Sequence, residues 1–286
     1  MSTARLVILG PLLFAGVALA LPVEQALAAS AASSSVEEAG LQPGSVVRWP
    51  GAATACAIDG QAVEPVAGEC LFPVDLLATG SVTLERTVAG KRQRTTATIG
   101  DYPYPQQHIQ LKDTSRVNLS PANQQRAARE RQRIDVLWDR PAERRFRLPL
   151  AAPLDPLPEG GRFGSRRVFN GEPRNPHTGS DYAVPAGTPV LSVAAGRVML
   201  AEEHFFAGNS VFIDHGDQLV SMYFHLRDLE VEAGDEVERG QLVGTVGSTG
   251  RSTGPHLHLG LRWKNRRVDP AVMMTPPAEL TTLAQP

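Results

Sequence analysis

Only two cysteines, Cys56 and Cys70, occur in the 286 residues. Their spacing is too wide for a zinc knuckle and no histidine lies near them, which excludes a structural zinc site built on this pair. In an oxidising compartment the two are expected to close a short disulfide loop, contributing roughly 3 kcal/mol through loop entropy. The chain also lacks a charge bias, since 28 Lys+Arg stand against 30 Asp+Glu for a net −2. Neither nucleic acid nor an anionic membrane surface is implied as a partner by such a balance. Beyond the first twenty residues there is no apolar run long enough to span a bilayer.

At the N-terminus, Arg5 precedes an apolar run from Leu6 to Ala20 that closes on Ala18-Leu19-Ala20 and is interrupted by Pro11, with a second small-residue site at Ala26-Leu27-Ala28. Residues 1–20 therefore read as a cleavable secretory signal, after whose removal no stable membrane insertion is expected. The Ala/Ser-rich stretch over 21–40 reads as a flexible tether. A hydrophobic fraction of 42% is enough for ordinary globular cores in the remainder of the chain.

Over 41–115, β-rich runs such as "SVTLERTV" and "RTTATIG" alternate with turn residues, and Ala89-Gly90-Lys91 joins two of them as a hairpin would. A small β-sandwich is expected there. Within 116–160, Ser120 suits a helix cap, Pro121 suits the first helical position, and Ala127, Arg131, Ile134 and Trp138 fall on one stripe. Arg126, Arg129, Arg131 and Arg133 alternate with Glu130 and Asp135, the pattern of a solvated helix face. The segment "LPLAAPLDPLPEGG" reads as a semi-rigid Pro/Gly connector. From 161 to 286 short strands separated by glycine-containing turns imply a second, all-β domain without a clear helix.

That second domain carries the candidate chemistry in His177, His215, His225, His256 and His258. In a strand, residues i and i+2 share a face, so His256 and His258 of "PHLHLGL" project together while the leucines pack behind them. In "NPHTGSD", a turn at Thr178-Gly179-Ser180 can bring His177 and Asp181 to one point. With one histidine of the pair they form a His/Asp/His set, three ligands with one position open, as in catalytic zinc sites. Imidazole and carboxylate suit zinc, whereas calcium or magnesium would want more oxygens. The spacing leaves open which of His256 and His258 is the ligand. His225, in "SMYFHL", is a further proton-handling candidate. "DHGD" around His215 reads as a tight turn whose polar side chains cap the backbone, and His108 and His204 read as surface residues.

In order and spacing, "HTGSD", "YFHL" and "STGPHLHLGL" resemble the signatures of the M23 family of zinc endopeptidases (lysostaphin-like, LytM-type), over roughly Gly164 to Pro270. More weakly, Leu41 to Trp138 resembles the immunoglobulin-like β domain that precedes the catalytic domain in some exported members. The resemblance implies an antiparallel barrel-sandwich-like catalytic fold of the duplicated hybrid type. It implies one zinc ion held by His177, Asp181 and His258, with catalytic roles for His256 and His225. Hydrolysis of peptide cross-links in bacterial peptidoglycan is the implied activity, with the bond between D-alanine and a diamino acid favoured, in the periplasm or at the cell surface. Non-catalytic relatives that bind the cell wall or activate amidases have lost metal ligands, which this chain retains.

Overall fold

Alternating inward and outward side chains define the strands of the first region, as in β5 (Ser81–Val88), where Val82, Leu84 and Arg86 point inward. It forms with β1 (Val46–Trp49), β2 (Ala53–Ile58), β3 (Gln61–Val63), β4 (Cys70–Pro73) and β6 (Lys91–Thr98). A four-stranded sheet of order β3-β2-β5-β6 accompanies the two-stranded β1-β4 pair. Ala89 and Gly90, both at positive φ, make the two-residue turn between β5 and β6 that the sequence predicts. Cys56 of β2 and Cys70 of β4 are disulfide-bonded across the two sheets, with Cα atoms 5.7 Å apart. Inside, the Arg86 guanidinium lies 4.3 Å from the Trp49 ring centre, which accounts for an arginine at a core position.

The computed structural model describes residues 40–110 and 118–283. The expected signal at 1–20 and all of the tether but Gly40 lie outside the described residues, as do 111–117 at the sandwich-to-helix boundary. No helix among the described residues is long and apolar enough to cross a membrane.

After β7 (Gln106–Ile109), helix α1 (Pro121–Asp135) begins with Ser120 as N-cap, whose hydroxyl accepts from the Asn123 amide at 3.3 Å. Its arginine face is not simply solvated. Arg126 and Arg133 reach Glu203 and Glu202 on the strand Gly196–His204, and the Phe205 amide donates to Glu130. The Pro/Gly-rich connector is also packed down. Leu150 and Leu154 are buried, and its backbone bonds to Met273, Val193 and Leu191.

The second region contains β8 (Arg166–Phe169), β9 (Glu172–Pro173), β10 (Gly179–Tyr182), β11 (Pro189–Leu191), β12 (Gly196–His204), β13 (Gly208–Asp214) and β14 (Leu219–Leu229). It continues with β15 (Glu236–Val237), β16 (Leu242–Val246), β17 (Leu257–Trp263), β18 (Arg266–Val268) and a short helix α2 (Pro270–Met273) that the sequence pattern does not announce. The main sheet runs β10-β17-β14-β13-β12-β15, with β11, β16 and β18 joined at its side. The protein is thus mostly β, with antiparallel sheets. One exception matters for the site: β7 pairs in parallel with β8, Gln107 opposite Arg167. Strand β17 is covered on both sides, and its residues 257–261 are all buried. One apolar core extends from Leu41 through Trp263 to Leu283, so both regions bury their faces against a shared interior.

Candidate metal centre

His258 lies on β17 directly opposite Asp181 on β10, so backbone register alone brings imidazole and carboxylate together. His177 enters from the loop before β10, anchored by its amide to the Ser165 carbonyl at 2.9 Å and by its own carbonyl to the Gly164 amide at 2.8 Å. His177 Nε2 stands 2.8 Å from His258 Nδ1, and Asp181 Oδ1 is 3.0 Å from each. Donors around a tetrahedral ion with bonds of about 2.0–2.1 Å lie roughly 3.3 Å apart, so the triangle need open only a few tenths of an ångström. Two imidazoles and one carboxylate without a thiolate suit zinc. Among the described residues this is the group of His, Cys, Asp and Glu whose donor atoms converge, all within 4.8 Å.

Each donor is oriented by something behind it. His177 Nδ1–H donates to the Arg162 carbonyl at 2.8 Å, which leaves the Nε2 lone pair facing inward. The His258 ring stacks on Phe224, with centres 5.1 Å apart and planes 2° from parallel, and Gly179 closes its other side. Asp181 turns Oδ1 to the histidines while Oδ2 accepts from Arg167 Nη2 at 2.8 Å. Burial alone would raise the Asp181 carboxyl. Its close contacts with the His177 and His258 rings instead hold it far below the carboxylate range. For His177 burial outweighs the neighbouring Asp181 carboxylate and lowers the imidazole to about 4, so it is neutral near pH 7, as ligation requires.

The other two candidates flank this set. His256 directly precedes β17, and its Nε2 is 3.8 Å from Asp181 Oδ1. Its Nδ1–H donates to the Gly254 carbonyl at 2.8 Å, leaving the Nε2 lone pair toward the groove. His225 has φ of +64, a left-handed conformation inside β14 where that strand's register shifts against β13. Its ring lies 4.8 Å from that of His256 and 6.1 Å from that of His258. Nδ1–H donates to the Thr249 carbonyl at 2.8 Å, and burial, helped by the neighbouring rings of His258 and His256, lowers the group to about 3. The expected ligand and catalytic residues, His177, Asp181, His225, His256 and His258, therefore meet in one place, whereas His215 does not join them. His258 closes the donor triangle while His256 faces His225.

The remaining histidines differ from expectation in one case. His204 is 2% exposed, not a surface residue: the β12–β13 hairpin folds it under Glu202 and Phe212, with Nδ1 on the Ser210 hydroxyl at 2.6 Å. In the "DHGD" turn, Asp214 does the capping by accepting from the Gly216 amide. His215 is fully buried between the Ala195 carbonyl and the Ser221 hydroxyl. His108 is exposed on β7. Sequence reasoning misses Arg167, because no motif marks it and its contact with Asp181 depends on β8 being placed by β7.

The chain's similarity to known proteins falls on this region. The profile of peptidase family M23 matches residues 175–270, which contain all five site residues. Peptidoglycan DD-endopeptidase ShyA of Vibrio cholerae is 46% identical over 94 residues, 33% of this chain and 22% of that protein. DD-carboxypeptidase/endopeptidase Mpg of Neisseria meningitidis is 43% identical over 105 residues, 37% of this chain and 24% of that protein. The matches thus span about a quarter of the length of these curated relatives. A crystal structure assigned to peptidase M23 from Pseudomonas aeruginosa is more extensive, at 30% identity with a TM-score of 0.61, covering 82% of this chain and 94% of that one. With nearly the whole of a solved relative superposed on it and the His/Asp/His triangle inside the matched stretch, the chain belongs to peptidase family M23.

Proposed function

We propose that the protein is an exported, zinc-dependent endopeptidase that hydrolyses peptide cross-links in bacterial peptidoglycan, the bond between D-alanine and a diamino acid being favoured. The observation that carries this reading is the triangle of His177 Nε2, Asp181 Oδ1 and His258 Nδ1, flanked by two further imidazoles whose Nε2 lone pairs face the same groove. The activities for which ShyA and Mpg are named support the substrate class. That substrate places the enzyme in the periplasm or on the cell surface.

When bound, zinc supplies positive charge that polarises a peptide carbonyl and acidifies nearby water. The chain's own residues divide the rest. His256 Nε2 takes a proton from the attacking water as its oxygen adds to the carbonyl carbon, and returns that proton to the amine as the C–N bond breaks. His225, neutral and with Nδ1–H committed to Thr249, is an acceptor. It holds the second O–H of the water and aims its lone pair at the carbonyl. Arg167 fixes the carboxylate orientation from behind.

Digestion of purified peptidoglycan by the zinc-loaded protein, read by mass spectrometry of the new termini, tests the reading. Free D-alanine carboxyl and diamino acid amino termini are expected, abolished by a chelator and restored by zinc. A protein that holds no zinc, or that holds it and releases no new termini, would overturn it.

A further inference from the structure

The groove in front of the triangle has a volume of about 450 Å³, and its walls carry three arginines, Arg162, Arg167 and Arg251, against the carboxylates of Glu159 and Asp181. Arg167 and Asp181 are spent on each other at 2.8 Å, which leaves the remaining wall positive even before a divalent ion is added.

Arg251 differs from the other two. Its guanidinium carbon lies 4.9 Å from the ring centre of Phe169 on β8 and 4.5 Å from that of Phe206 at the β12–β13 turn. Aromatic contacts of this kind cover the faces of a guanidinium and fix the direction of its N–H edge, an arrangement a lysine cannot reproduce. The backbone is equally fixed. The Arg251 amide donates to the Phe206 carbonyl at 2.8 Å, and Gly250, at φ +70, approaches Gly208 so closely that a Cβ would lie 2.3 Å from its nitrogen. From there the loop is tied to the proton-handling residue, since Ser252 Oγ and His256 Nδ1 both donate to the Gly254 carbonyl, at 2.7 and 2.8 Å. Arg251 and His256 therefore share one rigid segment, five residues apart, on the wall of one groove.

We infer that Arg251 is the specificity-determining residue of this groove and binds a carboxylate of the peptide substrate beside the bond to be cut. The inference rests on the endopeptidase reading above and deepens it: the enzyme reads its substrate as an acidic peptide, through a planar fork at a fixed offset from the hydrolytic centre. Charge complementarity favours this occupant, because a carboxylate meets Arg251 with Arg162 nearby, whereas a cationic group would face both.

The test uses the full zinc-loaded protein and two synthetic probes: a D-alanyl–diaminopimelyl cross-linked tetrapeptide dimer with free carboxyl groups, and the same dimer with those groups converted to carboxamides. Both kcat/KM and the dissociation constant are measured for wild type, Arg251→Lys and Arg251→Gln, with zinc content and thermal melting as folding controls. Wild type is expected to prefer the free-carboxylate dimer by about 10- to 100-fold, the range of a charge-assisted hydrogen-bonded pair. The preference falls to within about twofold in Arg251→Gln and partway in Arg251→Lys, which keeps the charge but not the fork. A wild type indifferent to amidation, or variants that keep its preference, would overturn the inference while leaving the hydrolase intact. If neither dimer is cut, the endopeptidase reading fails instead, and the ratio of dissociation constants still decides the role of Arg251.

Discussion

Replacing Gly179 by alanine tests whether strand packing, and not only ligand identity, builds the metal centre. Gly179 sits opposite Gly260 in the β10–β17 ladder. A Cβ on Gly179 would lie 2.4 Å from the Leu259 carbonyl oxygen and 2.5 Å from His258 Nε2. The carbonyl belongs to a central strand paired on both sides, and moving the His258 ring relieves only the second contact, so β10 and the ring must both shift, by roughly 0.6–1 Å to reach ordinary contacts. Overpacking of this kind costs about 1–3 kcal/mol. Where that strain is relieved by moving a ligand, it becomes a loss of about 10- to 100-fold in zinc affinity. The part not relieved lowers the melting temperature of the metal-free protein by about 2–4 °C per kcal/mol. Gly260→Ala is the control from the same register pair, because there the one close contact of a Cβ is Met222 Cε at 2.9 Å, the free end of a flexible side chain, with Met222 Cβ and Sδ at ordinary distances of 3.6 and 3.7 Å. Its zinc affinity is expected to stay within about twofold of wild type. Chelator competition gives the affinity and scanning calorimetry the stability. Equal zinc affinity in Gly179→Ala and wild type, or an equal loss in both variants, would refute the argument.

Three other outcomes are expected from the geometry. His256→Ala and His225→Ala should each retain stoichiometric zinc by mass spectrometry while losing about 10²- to 10⁴-fold in kcat/KM, the range of a proton-handling group. Burial lowers His215 to about 4, so the unfolded chain binds its proton first as pH falls. Stability from this group is complete above about pH 6.5 and declines by about 3 kcal/mol toward pH 4, visible in urea unfolding and reduced in His215→Asn. Asp217 is 4% exposed and holds Lys264, Arg144 at 2.9 Å and the Trp263 indole N–H at 3.4 Å. Asp217→Asn leaves buried Lys264 without its anion and Arg144 with only Glu64, at 3.8 Å, and should cost about 3–5 kcal/mol in the same unfolding measurement.

Local spacing carried much of the site. The i, i+2 rule put His256 and His258 on one surface, and the turn after His177 delivered Asp181 beside it. What spacing could not reach were contacts set by register between distant strands. Asp181 meets His258 because β10 pairs with β17, and the left-handed backbone at His225, which aims its ring at His256, has no signature in "SMYFHL". His204 reads as polar and exposed until the β12–β13 hairpin closes over it. The β character, the β5–β6 hairpin and the capped helix were legible because each rests on neighbours in the chain. The packing of α1 and the Pro/Gly-rich connector was not, since the arginine pairs to Glu202 and Glu203 and the burial of Leu150 and Leu154 depend on surfaces folded from elsewhere.

The parallel strand β7 has a consequence for any attempt to trim the protein. Ile109 at its end lines the groove, and its ladder to β8 supports both Arg167 behind the carboxylate and Phe169 against Arg251. Deleting everything before the peptidase region would not release an enzyme from an accessory module. It would pull out a stave from the vessel that holds the reaction, and the truncated protein would report on a damaged wall before it reported on any restraint that had been lifted.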